Sequence, residues 1–263
     1  MQWMELADTA LRYELSGSGA TTLVLVHEMG GTLDSWDHVL PALNQGRRVL
    51  RYDTRGAGQS EKLRGTADIT AMTDDVRALL DALGIGGKVA IAGCAVGGAI
   101  ALNFAHRHAD RTAALVAMGP ALSIPPERHA AAAAAADRLA AGTMRDVVEA
   151  SLGASYPAHV RFNAAHYQEF RARWLANDPH SYAAINRMLI GMDLNPLCPD
   201  LRCPVLVMAG AHDPLRPPSL IEPLSRTIPG ARFVQVEAGH FMAVQAPAFV
   251  AATINDFLRS VGI

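Results

Sequence analysis

The stretch "IAGCAVGGAI" (Ile91–Ile100) joins an apolar run ending at Cys94 to a second apolar run through a bend crowded with small residues. A strand that turns straight into a helix strains the backbone of its apex residue and leaves room only for tiny neighbours. Gly93, Gly97 and Gly98 surround Ala95 in the pattern G-x-A-x-G. Such a bend ordinarily presents one reactive side chain to a cleft. Here the apex carries only the methyl group of Ala95, with Cys94 beside it.

Working outward, short apolar runs alternate with helical stretches. Thr21–Glu28, Arg47–Thr54, Lys88–Cys94, Thr112–Gly119, Cys203–Gly210 and Ala231–Gly239 each read as strands. Most are continuously apolar, as expected of strands covered on both faces. Between them, "ITAMTDDVRALLDALG" (Ile69–Gly84) repeats its apolar side chains at helical spacing and stops at a glycine. The pattern predicts an α/β fold with a mostly parallel, doubly wound sheet. Met4–Leu15 is expected to add antiparallel strands at one edge. The rhythm breaks between about Pro120 and Pro199, where "HAAAAAAADRLAAG" and "QEFRARWLANDPHSYAAINRMLIGMDL" read as helices without a strand. The expected organisation is a core of residues 1–120 and 200–263, with a helical cap of residues 121–199 over one end of the sheet.

The bulk properties bound the function. The chain has 263 residues, half of them hydrophobic and 18% charged, with a formal charge of −2. That length buries a large core, and the absence of a basic excess argues against a nucleic-acid partner. No apolar run is long enough to span a bilayer, and the N-terminus lacks the basic-then-apolar pattern of a signal peptide. Three cysteines, Cys94, Cys198 and Cys203, have no metal-ligand spacing and point to a reducing, cytoplasmic setting. The histidines, His27 and His38 among them, are not spaced as metal ligands, so no metal is expected. The expected partner is a small-molecule substrate, with no membrane; a homo-oligomer is left open.

Ligands of parallel sheets bind beyond the carboxyl ends of the strands, so the residues there matter most. After Lys88–Cys94 comes the quoted bend, a nucleophile elbow with alanine in the serine place. Alanine gains nothing from a strained apex, which costs about 1–3 kcal/mol. After Cys203–Gly210 comes Asp213 in "AGAHDPLRPP", and after the next strand His240 in "VEAGHFMAVQAP". The chain order nucleophile, acid, histidine is that of the strand-turn-helix hydrolases, in which a carboxylate fixes the tautomer of the imidazole. The loop "HEMGGTLDSW" follows the first parallel strand, and the amides of Met29 and Val96 are the expected oxyanion donors. Glu28 stands there where glycine is common.

With these motifs in place, the chain resembles the α/β-hydrolase superfamily over nearly its whole length. The nearest likeness is to 3-oxoadipate enol-lactonases, carried by "RYDTRGAGQS" (Arg51–Ser60), "ANDPHSYAAINRMLIGMDL" (Ala176–Leu194) and "LRCPVLVMAGAHDPLRPP" (Leu201–Pro218). The resemblance implies a cofactor-independent Ser-His-Asp hydrolase of a small carboxylated ester, lactone or amide. Carried over, Ala95 takes the nucleophile position, Asp213 is the acid and His240 the base. Ala95 lacks the hydroxyl, and Ala57 and the "HEMGG" loop depart from the lactonase pattern. The leading expectation is an inactivated hydrolase whose native residue 95 is serine. A natural pseudoenzyme and a carbon–carbon bond hydrolase of a ring-cleavage product stay open.

Cys94 is not expected to act as nucleophile, because its side chain should point to the opposite face from that of Ala95. Asp53 is expected to bond the following turn and Arg55 to brace a neighbouring loop. Glu28, Arg171 and Trp174 are candidate substrate-binding residues, the arginine as a clamp for a substrate carboxylate; the simpler reading of Glu28 is that it bonds the loop backbone, and of Trp174 that it packs with Phe170 in the cap's own core.

Overall fold

The computed structural model describes residues 2–263. Its strands are β1 (Gln2–Glu5), β2 (Ala10–Gly17), β3 (Thr22–Val26), β4 (Arg48–Tyr52), β5 (Val89–Cys94), β6 (Thr112–Met118), β7 (Val205–Gly210) and β8 (Arg232–Val236). They form one sheet in the order β1-β2-β4-β3-β5-β6-β7-β8. β2 pairs antiparallel with β1 and β4, and every later pair is parallel. The helices are α1 (Leu40–Leu43), α2 (Ile69–Ala82), α3 (Val96–Arg107), α4 (His129–Ala141), α5 (Met144–Ser155), α6 (Ala164–Leu175), α7 (Pro179–Gly191), α8 (Pro218–Ser225), α9 (Met242–Gln245) and α10 (Pro247–Ser260).

The apolar runs form strands because both their faces are covered. Val24, Val26, Ile91, Leu115 and Val207 enter one core with α2, α3 and Ile221 of α8. Their alternates Leu23, Leu25, Ala90, Ala92, Val116 and Met208 enter a second core with α1 and α10. Successive side chains on a strand point to opposite faces, so a continuous apolar run supplies both layers at once. Each strand is one to four residues shorter than its apolar run, and α2 ends at Ala82 before Gly84 takes φ +67°. The expected edge strands over Met4–Leu15 are present as β1 and β2.

Between β6 and β7 lie α4 to α7, whose side chains build a third core of Leu139, Val148, Leu152, Tyr156, Phe170 and Trp174. This layer sits on the loops at the carboxyl ends of the strands. The Asn177 amide donates to the Gly30 carbonyl (2.8 Å), and the His240 N–H donates to the Ser155 carbonyl at the end of α5 (2.9 Å). The stretch Gln168–Leu194 is two helices rather than one. Asp178 caps α7 by accepting from the Ser181 amide (2.8 Å), and Pro179 opens it. Among the described residues no helix is long and apolar enough to cross a membrane.

Candidate active site

β5 enters α3 through Ala95, whose φ of 53° and ψ of −114° lie in a region that disfavours side chains. It is the one non-glycine residue with positive φ among the described residues. The flanking glycines are required by close approach: a Cβ on Gly93 would collide with the Gly97 carbonyl, and one on Gly97 with the Val26 and His27 carbonyls. Since glycine alone adopts this backbone without strain, Ala95→Gly should stabilise the chain by about 1 kcal/mol. A thermal melt checks this, and an unchanged or lowered midpoint would show that the apex carries no strain.

Asp213 follows β7 and His240 follows β8, its neighbour in the sheet. His240 Nδ1 lies 2.6 Å from Asp213 Oδ2, with both residues buried. The other carboxylate oxygen, Oδ1, accepts the amides of Leu215 (2.8 Å) and Arg216 (3.0 Å). Burial pushes the Asp213 pKa up, but the hydrogen bond and charge of His240, with those two amides, bring it below the ordinary value. An ionised Asp213 holds the proton on Nδ1, which leaves the Nε2 lone pair of His240 free to accept one.

The loop after β3 completes this end of the sheet. His27 bridges it to the loop after β4: Nδ1 donates to the Glu28 carbonyl (2.7 Å) and Nε2 accepts the Thr54 amide (2.9 Å). The amides of Met29 and Val96 donate to no group among the described residues, and both residues line one small cavity with Glu28, Ala57, Asn177, Tyr182 and Ile185. Val96 opens α3, so its amide is free for the same reason that any first-turn amide is, and the helix dipole adds to its field. The cavity holds about 10 Å³, roughly one water. A larger groove of about 580 Å³, lined by Lys88, Thr112 and Arg202, lies at the amino ends of the strands, away from these groups.

Cys94 is 1% exposed and its Sγ donates to the His240 carbonyl (3.4 Å). Burial, then the nearby carboxylates of Glu28 and Asp213, push its thiol well above the usual value. Iodoacetamide at pH 8 should therefore leave Cys94 unlabelled until the chain is denatured. Peptide mass spectrometry reads the label, and prompt alkylation in the folded chain would reopen the question of a reactive thiol.

Of the three substrate-binding candidates, only Glu28 lines the cavity. Arg171 faces outward on α6 and is held by Glu149 of α5 (2.6 Å), so the expected carboxylate clamp is corrected. Trp174 is buried among the cap aromatics against Tyr182, with its indole packed on Gly30. It supports the loop from behind within the cap's own core, as the simpler reading expects, and its candidacy for substrate binding is corrected because it does not line the cavity. Asp53 accepts the Gln59 amide (2.8 Å) of the following turn and the Leu33 amide (2.7 Å). Arg55 braces Asp75 of α2 (2.7 Å) and Asp8 (3.2 Å). Sequence reasoning missed the contact of His240 with Ser155 and the bond from Ser35 Oγ to Glu28 Oε1 (2.7 Å). The first is invisible in local pattern, whereas the second was signalled by a serine seven residues on in the same loop.

A family model described as "Serine aminopeptidase, S33" matches residues 18–238. The chain belongs to this family of α/β-hydrolases. A putative carbamate hydrolase, RutD, of Azorhizobium caulinodans is 30% identical over 260 residues, covering 98% of this chain and 95% of the relative. Among solved structures, the enol-lactonase from Burkholderia xenovorans superposes with a TM-score of 0.91 at 30% identity, covering 98% of this chain and 100% of that one. A thermophilic esterase from Thermogutta terrifontis gives 0.93 at 28% identity, with both chains fully covered. The α/β-hydrolase resemblance and the mostly parallel sheet expected from the sequence are thus both present.

Proposed function

We propose that this member of the family carries the site of a cofactor-independent hydrolase of small esters, lactones or amides, with position 95 in the place of the attacking hydroxyl. The observation that carries the reading is the buried Asp213–His240 pair at adjacent strand ends, together with the strained apex of the β5–α3 bend. In that reading, His240 Nε2 takes the proton of a serine at position 95, whose oxygen attacks the carbonyl. The amides of Met29 and Val96 hold the oxyanion, and water later clears the acyl-enzyme. Ala95 cannot form that intermediate, so the covalent route is closed in the chain as it stands.

The cap resting on the oxyanion loop favours a small substrate. The relatives whose names mention a carbamate or an enol-lactone supply the first compounds to assay. The test is turnover by Ala95→Ser across small esters, lactones and carbamates. A folded variant that hydrolyses none of them overturns the reading.

A further inference from the structure

The cap meets two of the loops that build the site, and it meets each through a pair of imidazoles. His38, at the end of the loop that carries Met29, stacks on His166 of α6, with ring centroids 3.6 Å apart and planes 19° from parallel. His212, next in the chain to Asp213, meets His159 of the cap edge-to-face, with centroids 4.7 Å apart. His159 lies just beyond the segment that holds the His240 turn. There the Ser155 carbonyl accepts the His240 amide (2.9 Å), and a Cβ on Gly239 would stand 3.2 Å from Pro157. Each pair has a carboxylate within reach: Glu169 of α6 lies 3.5 Å from His38 Nε2, and Glu237 after β8 lies 3.1 Å from His212 Nε2. Of the other charges nearby, Arg173 acts on His166, Arg161 lies over the Tyr167 ring, Asp37 pairs with Arg51, and Asp213 with His240.

Histidine is the side chain that ordinarily changes its charge between pH 5 and 8. In each pair the carboxylate offsets a first proton, but a second proton puts two positive rings in contact. The side chains of Glu169 and Glu237 are 53% and 79% exposed, so water and salt weaken that offset. Burial, then the charge of His38, hold the His166 pKa below its ordinary value; Arg173 adds to this and Glu169 opposes it. The seated cap therefore binds fewer protons than a lifted one. Its docking is complete above the ordinary imidazole value of about 6.5, and is lost as pH falls through the lower value of the seated state. We propose that the two imidazole pairs form a proton-operated clasp, which seats the cap while its rings are neutral and releases it from the oxyanion loop and the His240 turn once both rings of a pair are charged. Release breaks the bonds from His240 to Ser155 and from Asn177 to Gly30, so acid opens the site while the sheet stays folded.

Opening is read without any substrate, so the clasp stands or falls apart from the proposed function. Hydrogen exchange read by mass spectrometry, corrected for the intrinsic rate, compares the chain at about pH 7.5 and about pH 5.5. Peptides from α5, α6 and the His240 turn should lose protection by on the order of tenfold, while β5 keeps its own. His159→Gln combined with His166→Gln leaves Asp213, His240 and both core loops unaltered, and should abolish the loss. Each single change should remove part of it, which keeps the test open if the double variant does not fold. Raising salt to about 1 M should also shrink the loss. Equal protection at the two pH values overturns the inference. So does a loss in the double variant, or in both single variants, as large as in the unaltered chain, which would assign the response to the Asp213–His240 pair. An equal loss in β5 would mean unfolding of the whole chain, and overturns it as well.

Discussion

Ala95→Ser is expected to show a burst of product equal to one acyl group per chain, and to hydrolyse an activated small ester on the order of 10⁶-fold faster than the alanine chain. The expectation follows from how little else must change. The apex already holds φ 53° without a serine, and alanine and serine differ by one oxygen, so the backbone strain is the same for both. The base is in place, with Nδ1 held by Asp213 and Nε2 free. Two amides on one cavity have no partner among the described residues. Stopped-flow absorbance with 4-nitrophenyl acetate reads the burst, and mass spectrometry should find the protein heavier by one acetyl group, on the peptide that contains position 95. An adduct on any other residue, or a folded variant without a burst, would remove the nucleophile assignment.

The parts of this site that could be read in the sequence are those whose reason is local. The glycines around Ala95 announce a bend in which backbones touch, and a Cβ on Gly93 or Gly97 does collide with a carbonyl. Asp213 and His240 were legible because each follows a parallel strand, β7 buried throughout and β8 at the edge of the sheet, and strand ends are where a parallel sheet gathers its chemistry. The fold was legible for a related reason, since the alternation of β3, β5, β6 and β7 between two cores leaves no solvent face to disguise the run.

The cap was harder to read. A helical face can turn inward or outward without any change in local pattern, which is why Arg171 pairs with Glu149 and Trp174 packs behind Gly30. The separate helix α5 also went unread, although Met144, Val148 and Leu152 recur every four residues after Thr143. The alanine tract just before it obscures where one helix ends and the next begins. The bond from His240 to Ser155 links residues 85 apart in the chain, and nothing local encodes it.

In the Ala95→Ser background, Asp213→Asn should lower kcat by on the order of 10⁴-fold while the fold survives. The geometry makes the direction definite. Oδ1 accepts two amides, from Leu215 and Arg216, and only an oxygen can take that place. The new NH₂ is therefore forced into the Oδ2 position, 2.6 Å from His240 Nδ1, where it must donate. That drives the imidazole proton onto Nε2, which can then no longer accept the hydroxyl proton. Stability should respond to pH with a definite sign. The folded Asp213 pKa lies below its unfolded value of about 3.9. Its ionised form therefore contributes stability that is fully present above that value and is lost as pH falls through the folded pKa. Asp213→Asn should lose this contribution at pH 7 and so show a smaller difference in melting midpoint between pH 7 and about pH 3. Melts at the two pH values and single-turnover kinetics check both halves. A drop in kcat of less than about tenfold would mean that the carboxylate does not set the tautomer of His240.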